Sequence, residues 1–424
     1  MALMSSFFKG KKTNTDIIYS SDSLTLEALN QLIPIRNLSD DKLESFALEH
    51  KPEVLPKGHI LFKINEPSKT AIFLLKGSVS LSDENGKTFD VNATETKAKF
   101  PLSSGLKHTT TAIAKTEINI LRVSQKVMAI NSSQPNPTKL EIPNHLSGNR
   151  LLQTFSQQFI DDELEVPSLP SIAIQLRKAM QNEIGTEEAV KIIQLDPVIS
   201  AKLIEVANCP LYVCLHPAKS CFEAVQRIGL NATRNLVISL SIKNIFSSKS
   251  PLINKHLDQQ WKRSIYLSSL CFILASADKQ INPEEALLAG LIADIGTIPF
   301  LNFVEKLPAD YYNEEEIKQA IPVVKGVVGS TILEKWGFAE DFIKIPLISE
   351  DWHYHGEDHI TYADIVILSR LHSRIGQKSA HLPAITSIPS ASKLKSITLS
   401  PENSLSILHD AKDKINETLR TFSS

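Results

Sequence analysis

The sequence predicts a multidomain chain of α and β structure, a small antiparallel β domain followed by an all-helical one, from three observations. Between Val54 and Val123 short alternating apolar runs are broken by Gly and Pro, the period-2 signature of strands. From Arg150 onward the apolar residues recur at helical intervals instead. Between the two, residues 125–148 hold Ser132, Ser133, Pro135, Pro137, Pro143, Ser147 and Gly148 with little periodicity, which predicts a linker. The expected division is a tail at 1–23, a β domain at 24–124, a linker at 125–149 and a helical domain at 150–424.

The bulk numbers agree with that division. A chain of 424 residues exceeds what one ordinary core organises. Hydrophobic residues at 42% and charged ones at 22% give the balance of a folded protein. A net charge of −2 supplies no long-range attraction for a polyanion, so neither nucleic acid nor a membrane surface is expected as a partner. Lys11, Lys12, Lys393 and Lys395 are expected as solvated loop charges. Cys209, Cys214, Cys221 and Cys271 lack Cys-x-x-Cys spacing and predict reduced, mostly buried thiols, not a zinc site. The N-terminus has no continuous apolar h-region, and the most apolar stretch, read as Tyr266–Ala277, is too short to cross a bilayer. A cytoplasmic location is expected.

Taken in order, residues 24–50 carry helical spacing in Leu24, Leu26 and Leu29, then Leu43, Phe46 and Ala47. Seven short strands follow at Val54–Leu55, Ile60–Phe62, Ile72–Leu75, Val79–Leu81, Phe89–Val91, Thr110–Ala114 and Ile118–Val123. Glu84–Lys87, with Asn85 and Gly86 at its centre, predicts a two-residue hairpin loop, because Asn and Gly accept positive φ. Many short strands at regular spacing predict a sandwich or jelly roll. With a leading helical segment, residues 57–67 and 71–81 resemble the opening half of a cyclic-nucleotide-binding β-roll. The resemblance implies tight turns at Gly58 and Gly77, where a side chain would clash.

That family holds the cyclic phosphate with backbone amides and an Arg, and the ribose with a Glu. Here Pro101 stands where the Gly-Glu step belongs, and Thr109 or Thr110 where the Arg belongs. Losing a charge-assisted phosphate contact costs on the order of 2–3 kcal/mol, so the resemblance implies no cyclic-nucleotide ligand. Lys107 and His108 are the only residues placed to rebuild an anion site from a shifted position. The pocket is otherwise expected to be filled by side chains.

In the helical half, Asp196 before Pro197 predicts a helix start, an N-cap acceptor followed by a preset φ. Leu333–Phe338 predicts a helix end at Trp336 with Gly337 in the left-handed cap. Three runs, 166–176, 192–212 and 224–237, carry Leu-Pro, Asp-Pro and Ala-Asn motifs in one order. Together they resemble the HDOD family, the HD-related output domain, an all-helical relative of the HD and HD-GYP phosphodiesterases, across roughly residues 150–424.

The resemblance implies a site where HD enzymes gather metal ligands from several helices, and four places depart from that pattern. Arg263 occupies the position of the first His, and a guanidinium offers no lone pair. Ala293 precedes Asp294 where a His-Asp dyad needs imidazole. Lys325 replaces a further His, and Ser349 and Glu350 stand where paired histidines are expected. One carboxylate among cations cannot anchor Mg²⁺ or Zn²⁺, which need several converging ligands. No catalytic residue, metal or cofactor is therefore expected, and Asp294 is expected to pair with Arg263.

Three other constellations have plain readings. His353, His355 and His359 with Glu357 and Asp358 have metal-binding chemistry but read as a solvated connector. Ser264 and Ser330 lack a nearby His, so no triad is proposed. Trp261, Trp336 and Trp352 read as packing anchors. The function expected is a non-catalytic signalling regulator whose partners are signalling proteins, with self-association left open. The rivals are a cyclic-dinucleotide phosphodiesterase and a nucleotide or small-anion sensor.

Overall fold

All seven expected strands form, and one more precedes them. The computed structural model describes most of residues 24–124 and 140–399, together with Ile18 and Tyr19. It divides into two units, residues 1–131 and 132–424. In the first, β1 (Ile18–Tyr19) is followed by helices α1 (Leu26–Leu29) and α2 (Asp40–Glu49). Then come β2 (Glu53–Leu55), β3 (Ile60–Phe62), β4 (Thr70–Lys76), β5 (Ser78–Ser82), β6 (Thr88–Asn92), β7 (Thr111–Ala114) and β8 (Ile118–Ser124).

The strands make two antiparallel four-stranded sheets, ordered β1-β2-β8-β4 and β3-β7-β5-β6. Period-2 alternation explains their layering. Ile72 and Leu74 of β4, with Ile118 and Ile120 of β8, pack with Leu81, Val91 and Ala112 of the other sheet. The alternate residues Ala71, Phe73, Leu121 and Val123 meet Leu29, Ile35, Leu43 and Phe46 of the helical segment. β4 and β8 are therefore buried on both faces, which is why they read as continuous apolar runs.

Two turns differ from expectation. Asp83 and Lys87 pair across the β5–β6 end, with the Asp83 N–H donating to the Lys87 carbonyl at 3.0 Å. The loop thus has three residues, not two. Gly86 takes the positive φ of 76° that such a loop requires, while Asn85 lies outside the described residues. Gly58 and Gly77 both have positive φ, but only Gly77 is also crowded, since a Cβ there would meet the Glu117 carbonyl at 2.4 Å. At Gly58 the space is open, so backbone conformation and not a clash selects glycine.

The second unit is helical. Its helices are α3 (Arg150–Ile160), α4 (Ser171–Met180), α5 (Thr186–Ile193), α6 (Pro197–Ala207), α7 (Cys221–Ile228) and α8 (Leu230–Lys243). They continue with α9 (Pro251–Asp278), α10 (Pro283–Ile292), α11 (Thr297–Glu305), α12 (Glu314–Lys335), α13 (Glu340–Ile343), α14 (Ile345–Ile348) and α15 (Tyr362–Arg374). Asp196 caps α6 by accepting from the Val198 and Ile199 N–H groups, both at 3.0 Å. After α12, the Phe338 N–H reaches the Leu333 carbonyl and the Gly337 N–H the Glu334 carbonyl, a Schellman closure with Gly337 at φ 69°.

Two apolar clusters fill this unit. The larger joins α3 through α12. The smaller sets Leu267, Cys271 and Leu274 of α9 and Ala286 and Ala289 of α10 against Ile345 and the α15 residues Val366 and Ile367. The long middle helices α9 and α10 contribute to both. The run Pro283–Glu305 is apolar and long enough to cross a membrane by composition, with a mean hydropathy of 1.8, yet 94% of that window is buried within the chain. It displaces Tyr266–Ala277 as the most apolar stretch, and it is core: a turn at 293–296 splits it into α10 and α11. Cys209, Cys221 and Cys271 are buried thiols outside any disulfide, and Cys214 lies outside the described residues.

Two expectations about polar residues are corrected. Lys393 is not a solvated loop charge: it is buried and pairs with Asp364 at 2.8 Å, both side chains at 0% exposure. Lys395 is exposed, and Lys11 and Lys12 lie outside the described residues. Nor is 353–359 wholly solvated. His353 is 2% exposed, and burial with the nearby His355 pushes its imidazole down to about 3. The His355 carbonyl accepts from Lys393 Nζ, whereas Gly356–His359 are exposed. Trp261 and Trp336 are core; Trp352 is half-buried and carries the Arg374 guanidinium 5.4 Å above its ring.

Candidate functional site

The turn between α10 and α11 puts one carboxylate where three helices meet. Ala293 ends α10 fully buried in the smaller apolar cluster. Asp294 follows with 8% exposure. Two residues later Gly296 lies against α12 so closely that a Cβ would sit 2.2 Å from the Lys325 carbonyl and 2.4 Å from the Gly329 nitrogen. That approach brings Lys325 Nζ to 2.9 Å from Asp294 Oδ1.

The stronger partner comes from α15. Arg370 Nη2 donates to Asp294 Oδ1 at 3.0 Å and Nη1 to Oδ2 at 3.1 Å, the bidentate fork that matches a carboxylate. Nη2 also donates to Ser349 Oγ at 3.2 Å. Gln260 Nε2 of α9 completes the carboxylate's contacts at 3.4 Å from Oδ2. Glu350 forms a second centre: it accepts from Lys325 at 2.8 Å, from Arg370 at 3.3 Å and from Arg374.

The charges set the protonation. Burial alone would raise the Asp294 carboxyl, but Arg370 and Lys325 outweigh it and hold the group far below the usual carboxylate range. Burial likewise opposes ionisation of Glu350, and Lys325, Arg370 and Arg374 prevail. Arg370 is raised in turn, its desolvation outweighed by Asp294 and Glu350.

The sequence-predicted positions divide on this geometry. Asp294, Lys325, Ser349 and Glu350 converge, and Asp294 pairs with Arg370 and Lys325, not with the expected Arg263. Arg263 is exposed on α9 and lines the rim of the cleft above the cluster. Gln260, one turn earlier, faces the carboxylate instead. Arg370 was missed, because its burial at 5% exposure within Ile365–Leu371 is evident only in the folded chain. A divalent ion does not fit these residues. Both oxygens of Asp294 are engaged by cations, and among the described residues no three His, Cys, Asp or Glu side chains gather as metal ligands.

Among the described residues, the β-roll positions do not gather as an anion site. His108 is 7% exposed, stacked on Phe62 with ring centroids 4.1 Å apart, and its Nδ1 meets Ser103 Oγ at 2.8 Å. Burial lowers its pKa, which favours the neutral ring. Lys107 is exposed, bridged to Pro67, and Thr109 is half-buried. Pro101 and Thr110 are buried, and Phe100 and Leu102 fill the adjoining core.

Comparison with known proteins agrees with the helical architecture. Residues 166–351 match the HDOD domain family. A crystal structure of a candidate metal-dependent phosphohydrolase from Shewanella amazonensis SB2B is similar at 24% identity and a TM-score of 0.55, covering 65% of this chain and 98% of that one. A cyclic nucleotide-binding-like protein from Brucella abortus aligns at 19% identity over 26% of this chain and 97% of its own, with a TM-score of 0.22. The β-roll assignment rests on the strand order above. An uncharacterized protein of Treponema pallidum is 19% identical over 234 residues, 52% of this chain and 44% of that protein. This chain thus spans less than half the length of that curated relative. Within the chain, residues 166–351 are an HDOD domain.

Proposed function

We propose that this protein is a cytoplasmic regulatory component of signal transduction whose helical domain works through protein contacts and hydrolyses nothing. One observation carries the reading: the carboxylate of a would-be HD dyad is held by a guanidinium and an ammonium. A metal would have to displace Arg370 and Lys325 and leave two buried cations facing it, which is unfavourable by several kcal/mol per ion. Exposed apolar side chains support contact with partners. Leu195 and Val198, within one turn at the start of α6, are 70% and 67% exposed. The filled β-roll supports a docking or dimerisation role without cyclic nucleotide.

Metal analysis of full-length protein purified without chelator, paired with a phosphodiester hydrolysis assay in Mn²⁺, Fe²⁺ or Zn²⁺, tests this. The expected result is no stoichiometric metal and no turnover. One metal per chain, lost together with turnover in Asp294→Asn, would replace this reading with a metal-dependent phosphodiesterase.

A further inference from the structure

Above the Asp294 cluster opens a cleft of about 870 Å³, within the size range of small-molecule sites. Its lining carries six cations, Lys262, Arg263, Lys318, Lys325, Arg370 and Arg374, against two carboxylates, Asp294 and Glu350. This concentration of positive charge is absent from the composition, since the whole chain is at −2.

The cations are not all answered. Lys325, Arg370 and Arg374 share Asp294 and Glu350, which leaves one positive charge in the cluster. Lys318 is 3.3 Å from Glu314, both exposed. Lys262 and Arg263, side by side on α9 and exposed, have no acidic partner within ion-pair distance among the described residues. Two buried polar atoms are unpartnered as well. The Nε of Arg370 and the Nε2 of His256 have no hydrogen-bond partner, and His256 is 8% exposed with the nearest carboxylate oxygen, of Glu314, at 4.0 Å. A buried polar atom without a partner costs about 1–3 kcal/mol unless something else supplies one.

We propose that this cleft binds a small organic anion bearing two or more phosphate groups, without a metal ion. The dense, multiple charge of such a ligand suits a cleft into which three helices each bring two cations. Guanidinium groups take phosphate oxygens in pairs. Tyr266, half-buried on the same wall, adds an aromatic side chain beside the organic part. A singly charged carboxylate would leave most of the surplus unanswered. Low-dielectric walls focus the field of these cations into the cleft. The inference rests on the metal-free cluster proposed above, but its failure is separable from failure of that reading.

Calorimetric titration of the full chain in EDTA, with inorganic pyrophosphate and tripolyphosphate as probes, tests it. One saturable site per chain tighter than about 1 mM, stronger for tripolyphosphate, is expected. Lys262→Ala with Arg263→Ala, two exposed positions whose loss leaves the core intact, should weaken binding at least tenfold with an unchanged melting temperature. Lys57→Ala in the β-roll should change nothing. Absence of saturable binding, equal binding by the double variant, or binding that requires an added divalent ion would each overturn the proposal. Binding in EDTA together with metal-dependent hydrolysis of the probe would uphold it and overturn the non-catalytic reading instead.

Discussion

Arg370 and Asp294 form a two-pronged ion pair, with Nη2 to Oδ1 at 3.0 Å and Nη1 to Oδ2 at 3.1 Å, and both residues are more than nine-tenths buried. The pair anchors the last long helix to the α10–α11 turn.

Removing one prong-bearing partner should cost more than removing both. Arg370→Ala leaves Asp294 buried with Lys325 as its remaining cation, and is expected to lower stability by roughly 3–5 kcal/mol in urea denaturation. Arg370→Met with Asp294→Leu is expected to recover most of that loss, because an apolar pair leaves no stranded charge. A double variant weaker than either single would contradict the ion-pair account.

Acid should act in two windows. His353 titrates at about 3 in the folded chain against an ordinary 6.5. The unfolded chain therefore binds the proton first, and stability declines as pH falls from 6.5 towards 3. Asp294, held below its ordinary 3.8 by Arg370 and Lys325 against the opposing effect of burial, contributes stability above pH 3.8 that declines below it. His353→Gln should make the first window shallower, since His108, His256, His355 and His372 are lowered by burial too, and Asp294→Asn the second, read from unfolding free energies across pH. A wild-type profile flat from pH 6.5 to 3 would refute both.

The Lys393–Asp364 pair should be as costly to break as the first. Asp364 also accepts from Ser390 Oγ and, through Thr361, caps α15. Lys393→Met is expected to destabilise by about 3–5 kcal/mol, with the melting temperature as the measurement. Lys395→Met, at an exposed position, should stay within about 0.5 kcal/mol of wild type.

Cyclic AMP or cyclic GMP at millimolar concentration should leave the melting temperature unchanged. A ligand at a hundred times its dissociation constant would stabilise by about 2.7 kcal/mol, a shift no thermal scan would miss. Such a shift, abolished by His108→Ala, would restore the β-roll as a sensor.

The β strands were legible because alternation, Gly and Pro mark most of them, and β4 and β8, buried on both faces, showed instead as short apolar runs bounded by polar residues. The site was half legible. Asp294 and Lys325 were singled out together because a resemblance suggested it, and the structure brings them to 2.9 Å. Arg370 could not be read that way, because nothing local distinguishes a cation on a buried helix face from one on a solvated face until its partner, 76 residues earlier, is known. The same distance effect hid Lys393, whose partner lies 29 residues back on another element. Arg263 was misassigned because one step around α9 separates the cleft rim from the position of Gln260.

The chain beyond the family match has a structural duty of its own. Arg370 and Arg374, Lys393, and the Lys395 and Ser396 amides that bind the buried Asp278 carboxylate all follow residue 351. A protein cut at that point would keep the whole recognised domain and still leave Asp294 without its Arg370 partner and Asp278 without the two amides. The working boundary of this helical unit is drawn by its electrostatics, some forty residues past the end of the family match.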